Sequence, residues 1–115
     1  IAEEIPPLEV HGPASGGLLV LGWGSTQGAI LSAVKRVAAR GGKVACAHLR
    51  YLYPWPKNTG QIISRFKKIL VPELNSGQLL WLLRARFLID AVGYNKVQGS
   101  PFLVREIEAK IEELL

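Results

Sequence analysis

The sequence Leu18-Leu19-Val20-Leu21-Gly22-Trp23-Gly24-Ser25-Thr26-Gln27-Gly28 runs from four apolar residues into a glycine-rich turn. A short apolar run bounded by glycines is typical of a strand that is covered on both faces, as in a parallel sheet. Apolar residues then recur at helical spacing from Ile30 to Ala38, and Gly41-Gly42 stop the helix. The stretch therefore predicts a strand followed at once by a helix, which is the repeating unit of an α/β fold.

The same alternation continues to the end of the chain. The predicted parallel strands span residues 18–22, 44–49, 68–72 and 91–95. Ile62, Ile63 and Phe66 suggest a short helix, and a longer one is expected from Gln78 to about Ile89. The last helix is expected to open at Ser100-Pro101, because proline suits the first helical position. Such alternation implies right-handed crossovers between parallel strands. The predicted fold is a three-layer α/β/α sandwich with a mostly parallel, doubly wound sheet of about five strands.

The 115 residues are expected to form one domain. Residues 1–17, rich in proline and glycine, are interpreted as a linker with at most a short strand at Leu8-Glu9-Val10, so that the folded domain spans residues 18–115. Methionine is absent throughout, and we therefore expect a piece of a longer polypeptide. The sequence shows neither a membrane-spanning apolar run nor a secretory leader, and its single cysteine, Cys46, cannot form an internal disulfide. These features favour a cytoplasmic protein without membrane contact.

The net charge of +5 is unevenly distributed. No carboxylate lies between Glu9 and Glu73, and the cations in that interval are Lys35, Arg36, Arg40, Lys43, Arg50, Lys57, Arg65, Lys67 and Lys68. Such a stretch is compatible with nucleic acid, a phosphorylated ligand or an acidic protein. The excess is moderate and spread over three predicted elements, which favours a solvated helix face or a surface that meets an acidic neighbour. Few aromatic residues alternate with the cations, which argues against nucleic acid.

The glycine-rich turn is a candidate anion site, since backbone N–H groups at a helix start can approach a phosphate. The dinucleotide-binding pattern, however, places its third glycine where Gln27 stands, and no acidic residue for a ribose follows the second predicted strand. We favour a tight strand-to-helix turn in which Ser25 or Thr26 caps the helix through its side-chain oxygen.

Histidine and cysteine provide no catalytic or metal site. Cys46 and His48 share one side of a predicted strand, and His11 lies in the proline-rich entry, which is too few ligands for a tetrahedral metal centre. Paired carboxylates in a cleft-forming loop and a nucleophile elbow are both absent from the sequence. We therefore predict neither catalytic residues nor metal ligands in this chain.

The loops that follow the predicted strands place candidate binding or contact residues at one edge of the sheet. Open parallel sheets meet their ligands and partners at the carboxyl ends of the strands. The residues expected at this edge are Gly24, Ser25, Thr26, Glu73, Asn75, Gln78, Asn95 and Lys96. An asparagine in a turn also bonds its own backbone, so a purely structural role for Asn75 and Asn95 stays equally open.

The helix predicted over residues 78–89 is apolar around most of its circumference. Leu79, Leu83 and Phe87 can form the stripe that faces the core. The candidate interface residues are Leu80, Trp81, Leu82 and Leu88. Because a helix in so small a domain is not buried on every side, part of it is expected to face a second copy or a neighbouring domain or subunit. The alternative is that the loop of residues 51–58 covers it.

Four segments of the chain carry a resemblance to a known family: Gly22–Thr26, His48–Pro56, Val71–Leu79 and Tyr94–Phe102. In this order and spacing they resemble the C-terminal domain of the alpha subunit of 2-oxoacid:ferredoxin oxidoreductases, particularly the 2-oxoglutarate type, over residues 8–115. That domain is similar to the C-terminal domain of transketolase, whose first short strand runs antiparallel to the others. The resemblance therefore implies an antiparallel strand near Leu8–Val10.

The resemblance implies a parent enzyme larger than this chain. Enzymes of the family convert a 2-oxoacid and coenzyme A to an acyl-coenzyme A with reduction of ferredoxin, using thiamine diphosphate, magnesium and iron–sulfur clusters. No Gly-Asp-Gly motif occurs here, and one cysteine cannot hold a cluster, so we expect no cofactor in this chain. It is expected to be a non-catalytic domain that contacts the rest of the alpha subunit, the beta subunit or a second copy. The alternative is a free-standing module that binds a phosphorylated ligand such as coenzyme A.

Overall fold

The computed structural model describes residues 7–49, 56–74, 78–87, 91–96 and 102–115. The strands are β1 (Val10–His11), β2 (Gly16–Trp23), β3 (Ala45–Leu49), β4 (Phe66–Leu74) and β5 (Val92–Lys96). The helices are α1 (Gln27–Ala39), α2 (Thr59–Ser64), α3 (Gln78–Phe87) and α4 (Val104–Leu114), and a 3-10 turn at Gly24–Thr26 joins β2 to α1. Among these residues, no helix combines the length and the apolar character needed to cross a membrane.

The strands form one sheet in the order β1-β3-β2-β4-β5. Strands β3, β2, β4 and β5 are parallel, which confirms the four predicted parallel strands. Strand β1 pairs antiparallel with β3, with Val10 opposite Ala47, and so confirms the short antiparallel strand that the resemblance implied. Because β3 and β4 lie on opposite sides of β2, the chain winds outward from β2 in both directions. This is the doubly wound α/β sandwich predicted from the sequence.

The sheet lies between two apolar layers. Leu18 and Val20 of β2 pack against α1 and α4, whereas Leu19 and Leu21 face α2 and α3. All four side chains are at most 1% exposed. Burying a leucine or valine fully is worth about 1.5–3 kcal/mol, so this strand is a major source of stability. The continuous apolar run in the sequence reflects burial on both faces.

The segment before β2 is attached to the folded core. Leu8 is 6% exposed, its N–H donates to Asn58 Oδ1 at 2.8 Å, and its carbonyl accepts from Asn58 Nδ2 at 3.1 Å. The side-chain amide of Asn58 therefore satisfies both backbone hydrogen-bonding groups of Leu8. The entry to the domain is thereby held beside α2, although the division at residue 17 stays a prediction.

The last helix starts later than expected. It begins at Val104, so the prediction that it opens at Ser100-Pro101 is wrong; those two residues lie outside the described ones. Leu103 precedes the helix with an extended backbone, and its N–H donates to Glu106 Oε1 at 2.7 Å. This carboxylate satisfies a backbone donor at the helix start and sets the boundary, while proline is only permitted at a helix start and does not impose one.

Candidate functional site

Strands β2 and β4 stop pairing before they reach the carboxyl edge of the sheet. The pairs between these strands run from Gly16–Phe66 to Val20–Leu70, whereas β2 stays paired with β3 as far as Trp23. Strand β4 similarly stays paired with β5 as far as Leu74. Because β2 leads to α1 in one layer and β4 leads to α3 in the other, this is the switch point of the sheet. Ligands of open α/β sheets bind in the crevice at such a point.

The crevice is closed by the carboxylate of Glu73. This side chain is 1% exposed and accepts hydrogen bonds from Trp23 Nε1 at 2.9 Å, Leu79 N at 2.6 Å and Leu80 N at 3.1 Å. Two of the donors are free amides of the first turn of α3, where a negative charge also interacts favourably with the helix dipole. The third donor crosses from β2. The position where an anion would bind at the start of α3 is therefore occupied by the chain's own carboxylate.

The turn after β2 is built from a left-handed glycine and a buried threonine. Gly24 has φ = +70°, a conformation that side chains disfavour. Thr26 is 5% exposed, and its hydroxyl donates to the Trp23 carbonyl at 3.0 Å. Thr26 makes no side-chain cap bond to α1, so of the two predicted caps, Ser25 or Thr26, the Thr26 alternative is wrong. A 3-10 turn precedes α1, and the hydroxyl closes this turn backward instead. The side chain of Ser25 lies outside the described residues.

Gly22 serves packing between β2 and α1. A Cβ atom at this position would lie 2.4 Å from Ile30 Cδ1 and 2.9 Å from Thr26 Oγ1. The space beside Gly22 is therefore filled by the tip of Ile30 and the hydroxyl of Thr26, and any side chain at position 22 would have to displace them. This favours the tight-turn interpretation of the glycine pattern over the phosphate-binding one.

His48 and Cys46 lie beside the turn without forming a reactive pair. Burial lowers the pKa of His48, opposed by a backbone hydrogen bond with Gly24, and its Nδ1 atom is buried without a hydrogen-bond partner. Cys46 is 2% exposed, and burial raises the pKa of its thiol to about 11. A neutral thiol is a poor nucleophile and a poor metal ligand. Among the described residues, no three His, Cys, Asp or Glu side chains converge as metal ligands would.

The remaining edge residues are placed in part. Asn95 pairs with Glu73 and Lys96 with Leu74 along β5, so their backbones lie at the predicted edge. Gln78 is the first residue of α3 at the same edge. The side chains of Gln78, Asn95 and Lys96, and the whole of Asn75, lie outside the described residues. The sequence interpretation missed Trp23, although a tryptophan that ends one buried strand beside a carboxylate that ends the next is a detectable signal.

Helix α3 presents an apolar outer face. Leu79 and Leu83 are 0% exposed and contact the core, as the predicted stripe requires, and Leu80 packs partly against the same core. On the opposite side, Trp81 is 73% exposed and Leu82 is 38% exposed. Leu88 and residues 50–55, which include most of the proposed covering loop, lie outside the described residues. The interface stays a prediction, now centred on Trp81 and Leu82.

The basic interval is partly neutralised within the chain. Arg36 lies 3.5 Å from Glu108, and Arg40 pairs with both Glu108 and Glu112 of α4. These ion pairs lower the pKa of Glu108 and raise that of Arg40. Exposed pairs of this kind contribute little stability, but they do occupy the charges. The acidic end of the sequence thus lies against its basic middle, which weakens the nucleic-acid interpretation further.

The comparisons with known proteins give no match to a family model. The chain is 48% identical over 104 residues, 90% of its length, to 2-oxoglutarate oxidoreductase subunit KorA of Mycobacterium tuberculosis. It is 30% identical over 121 residues to the alpha subunit of 2-oxoacid:ferredoxin oxidoreductase 2 of Aeropyrum pernix. The chain spans only 16% and 19% of these relatives' lengths.

Two solved structures share the fold. The 2-oxoglutarate:ferredoxin oxidoreductase from Magnetococcus marinus, solved with 2-oxoglutarate, coenzyme A and succinyl-coenzyme A bound, aligns with a TM-score of 0.89 and 31% identity. The match covers 96% of this chain and 20% of that one. A split-gene transketolase, described as an inactive β4 tetramer, aligns with a TM-score of 0.66 and 15% identity over 92% of this chain and 41% of that one.

The fold is thus the three-layer α/β sandwich seen in transketolase, with a switch point that is closed by the chain's own side chains. The chain itself corresponds to part of the alpha subunit of the 2-oxoacid:ferredoxin oxidoreductases, as the resemblance of its four segments implied.

Proposed function

We propose that this chain is the non-catalytic C-terminal domain of the alpha subunit of a thiamine diphosphate-dependent 2-oxoglutarate:ferredoxin oxidoreductase. The parent complex converts the 2-oxoacid and coenzyme A to an acyl-coenzyme A and reduces ferredoxin in the cytoplasm. The domain itself supports contacts with the rest of the alpha subunit and with the beta subunit. The relatives named for 2-oxoglutarate support this substrate over other 2-oxoacids.

The observation that carries this proposal is the closure of the switch point by Glu73. A binding domain of this fold keeps the crevice open and leaves helix-start amides available to a ligand. Here Leu79 N and Leu80 N already donate to Glu73, and Trp23 spans the gap between the strands. With this position filled, the apolar outer face of α3 is the feature among the described residues that suits recognition of a partner.

The cofactors of the parent complex do not fit the residues of this chain. The Gly-Asp-Gly motif for thiamine diphosphate and magnesium is absent from the sequence, and Cys46 is a single, buried thiol where an iron–sulfur cluster needs four ligands. We assign these groups to the remainder of the alpha subunit and to the beta subunit.

The second candidate is a module that binds coenzyme A or another phosphorylated ligand. The Magnetococcus marinus enzyme was solved with coenzyme A bound, which makes this ligand a specific alternative. Among the described residues, the left-handed turn at Gly24, directly before α1, is the place that we assign to a phosphate in this alternative. Against it stands Gly22, whose missing side chain is already required by the contact with Ile30.

Calorimetric titration of the folded 115-residue chain separates the two candidates, with the intact alpha–beta complex as the positive control. We expect no heat with thiamine diphosphate and magnesium, none with coenzyme A, and no turnover of 2-oxoglutarate with a low-potential dye. Coenzyme A binding that weakens steeply between two salt concentrations would favour the ligand module, because a polyanion site depends strongly on salt. Turnover by the chain alone would contradict the proposal.

A further inference from the structure

We infer that the outer face of α3 docks onto an apolar surface bordered by carboxylates in the remainder of the same alpha subunit. This inference rests on the proposed function, because it requires the chain to be one domain of a longer subunit.

The docking ridge consists of Trp81, Leu82, Ala85 and Arg86. Residues four apart are neighbours on a helix, so Trp81 lies beside Ala85 and Leu82 lies beside Arg86. Trp81 is 73% exposed, the highest value among the large apolar side chains in the described part of the chain. Tryptophan is the residue type most enriched at the centres of protein contacts. The row of Trp81 and Ala85 is apolar, and the row of Leu82 and Arg86 ends in a cation, so the contact face has a charged border.

The ridge is held in a fixed position by contacts at both ends of α3. Glu73 accepts from Leu79 N and Leu80 N at the first turn. At the last turn, Arg84 Nη2 donates to the Ala91 carbonyl at 2.8 Å. A surface that is ordered before contact loses less conformational freedom on docking. Anchoring at both ends therefore suits a helix whose function is to present its outer face.

The size of the ridge indicates which surface covers it. A stable association of separate chains buries about 800 Å² on each partner, whereas one aromatic side chain buries about 150–250 Å², and the ridge has a single aromatic residue. Domains joined in one polypeptide meet at an effective concentration in the millimolar range, so a small apolar contact suffices. The relatives are much longer, since this chain spans 16% and 19% of them. The ridge thus fits a contact within one subunit better than a contact between free copies.

The positive charge of α3 indicates the chemistry of the surface that covers it. Helix α3 carries Arg84 and Arg86 and no carboxylate. The carboxylates of α4, such as Glu108 and Glu112, lie in the opposite layer and pair with Arg40. Two copies that met through α3 would bring cations together without carboxylates from either helix. A covering surface with Asp or Glu at its border pairs with Arg86, and we therefore assign that chemistry to the partner surface.

The test measures thiol labelling in the intact alpha–beta complex. Ala85→Cys places a thiol on the ridge without removing Trp81, and Ser32→Cys is the matched control, an exposed position on α1 in the opposite layer. Each peptide is followed by mass spectrometry after a pulse of water-soluble maleimide. We expect position 85 to label at least about tenfold more slowly than position 32, because burial restricts access. Adding Trp81→Glu or Arg86→Glu to Ala85→Cys should raise its rate toward that of the control.

Equal labelling at positions 85 and 32 in the intact complex would overturn the inference. Protection that disappears on dilution would do so as well, because it would assign the face to a second copy or a separate subunit. The same samples are assayed for 2-oxoglutarate oxidation. Turnover with an unprotected position 85 leaves the proposed function standing and refutes the docking face. Protection without turnover of any 2-oxoacid supports the docking face and refutes the proposed function.

Discussion

Replacing Glu73 by alanine is expected to destabilise the folded chain strongly. The variant leaves Trp23 Nε1, Leu79 N and Leu80 N without their buried acceptor. Hydrogen bonds to a charged group contribute about 1.5–3 kcal/mol each, but removing the carboxylate also removes the cost of burying it. Each buried N–H left without its acceptor costs about 1–3 kcal/mol, and relief of the carboxylate's own desolvation offsets part of the sum over the three donors, which leaves a net loss of about 3–5 kcal/mol. We expect Glu73→Ala to lower the free energy of unfolding by that amount.

Urea unfolding followed by circular dichroism and tryptophan fluorescence measures this loss. Glu73→Gln keeps the shape and one acceptor oxygen, so we expect about 1–3 kcal/mol, the usual cost of leaving a buried donor poorly satisfied. Glu9→Ala is the matched control at an exposed carboxylate, where the change should stay within about 0.5 kcal/mol. Because a natural domain has only about 5–15 kcal/mol to lose, Glu73→Ala should be close to unfolding at 37 °C.

A double-mutant cycle tests the contact across the two strands directly. Trp23→Phe removes one donor to Glu73, and combining it with Glu73→Gln should give a coupling energy of about 1–2 kcal/mol. Additive effects would show that the indole and the carboxylate do not interact. A Glu73→Ala variant with an unfolding free energy within about 1 kcal/mol of the parent would refute the assignment of Glu73 as the closure of the switch point.

Three further predictions concern the turn and the core beside it. Gly22→Ala should lower the free energy of unfolding by about 1–3 kcal/mol, because its Cβ would collide with Ile30. The control Gly28→Ala lies in open space on α1 and should raise the free energy of unfolding by about 0.4–1 kcal/mol. Equal urea midpoints for the two variants would contradict this prediction. Burial lowers the pKa of His48 from its ordinary value of 6.5, so that between the two values the folded chain binds fewer protons than the unfolded chain. The free energy of unfolding should therefore be independent of His48 above pH 6.5 and should decrease as the pH drops from 6.5 toward the lowered value. His48→Asn should flatten that pH dependence, and an unchanged slope would exclude His48 as its source. Because Cys46 is buried with a pKa of about 11, its thiol should react with an aromatic disulfide at pH 8 about a hundredfold more slowly than in urea, and fast labelling in the folded chain would mean that this core is open.

The sequence predicted the elements that depend on local pattern. The apolar run of β2 and the helical spacing of α1 are visible within about ten residues, and both were found where expected. The start of α4 was misplaced, because the hydrogen bond from Leu103 N to Glu106 Oε1 sets the helix boundary and cannot be recognised from the pattern of apolar residues. Thr26 was one of two predicted helix caps, but a hydroxyl can bond forward or backward, and in the 3-10 turn it donates backward to the Trp23 carbonyl.

The candidate site depends on contacts that are distant in the sequence. Glu73 was named among the edge residues, but its partner Trp23 lies 50 residues away, and only the order of the strands brings the two together. The ion pairs of Arg40 with α4 join residues 68 and 72 positions apart, so the basic interval looked more exposed than it is. Periodicity gives the class of the fold, whereas side-chain pairing across strands and layers requires the register.

We propose that this chain belongs to an oxidoreductase subunit without carrying its chemistry. Anaerobic dye reduction with 2-oxoglutarate and coenzyme A tests it in one assay, run on the intact alpha–beta complex and on the 115-residue chain at equal concentration. We predict turnover by the complex that requires both substrates, and none by the chain. Turnover by the chain alone, or an intact complex that oxidises no 2-oxoacid, would contradict the claim.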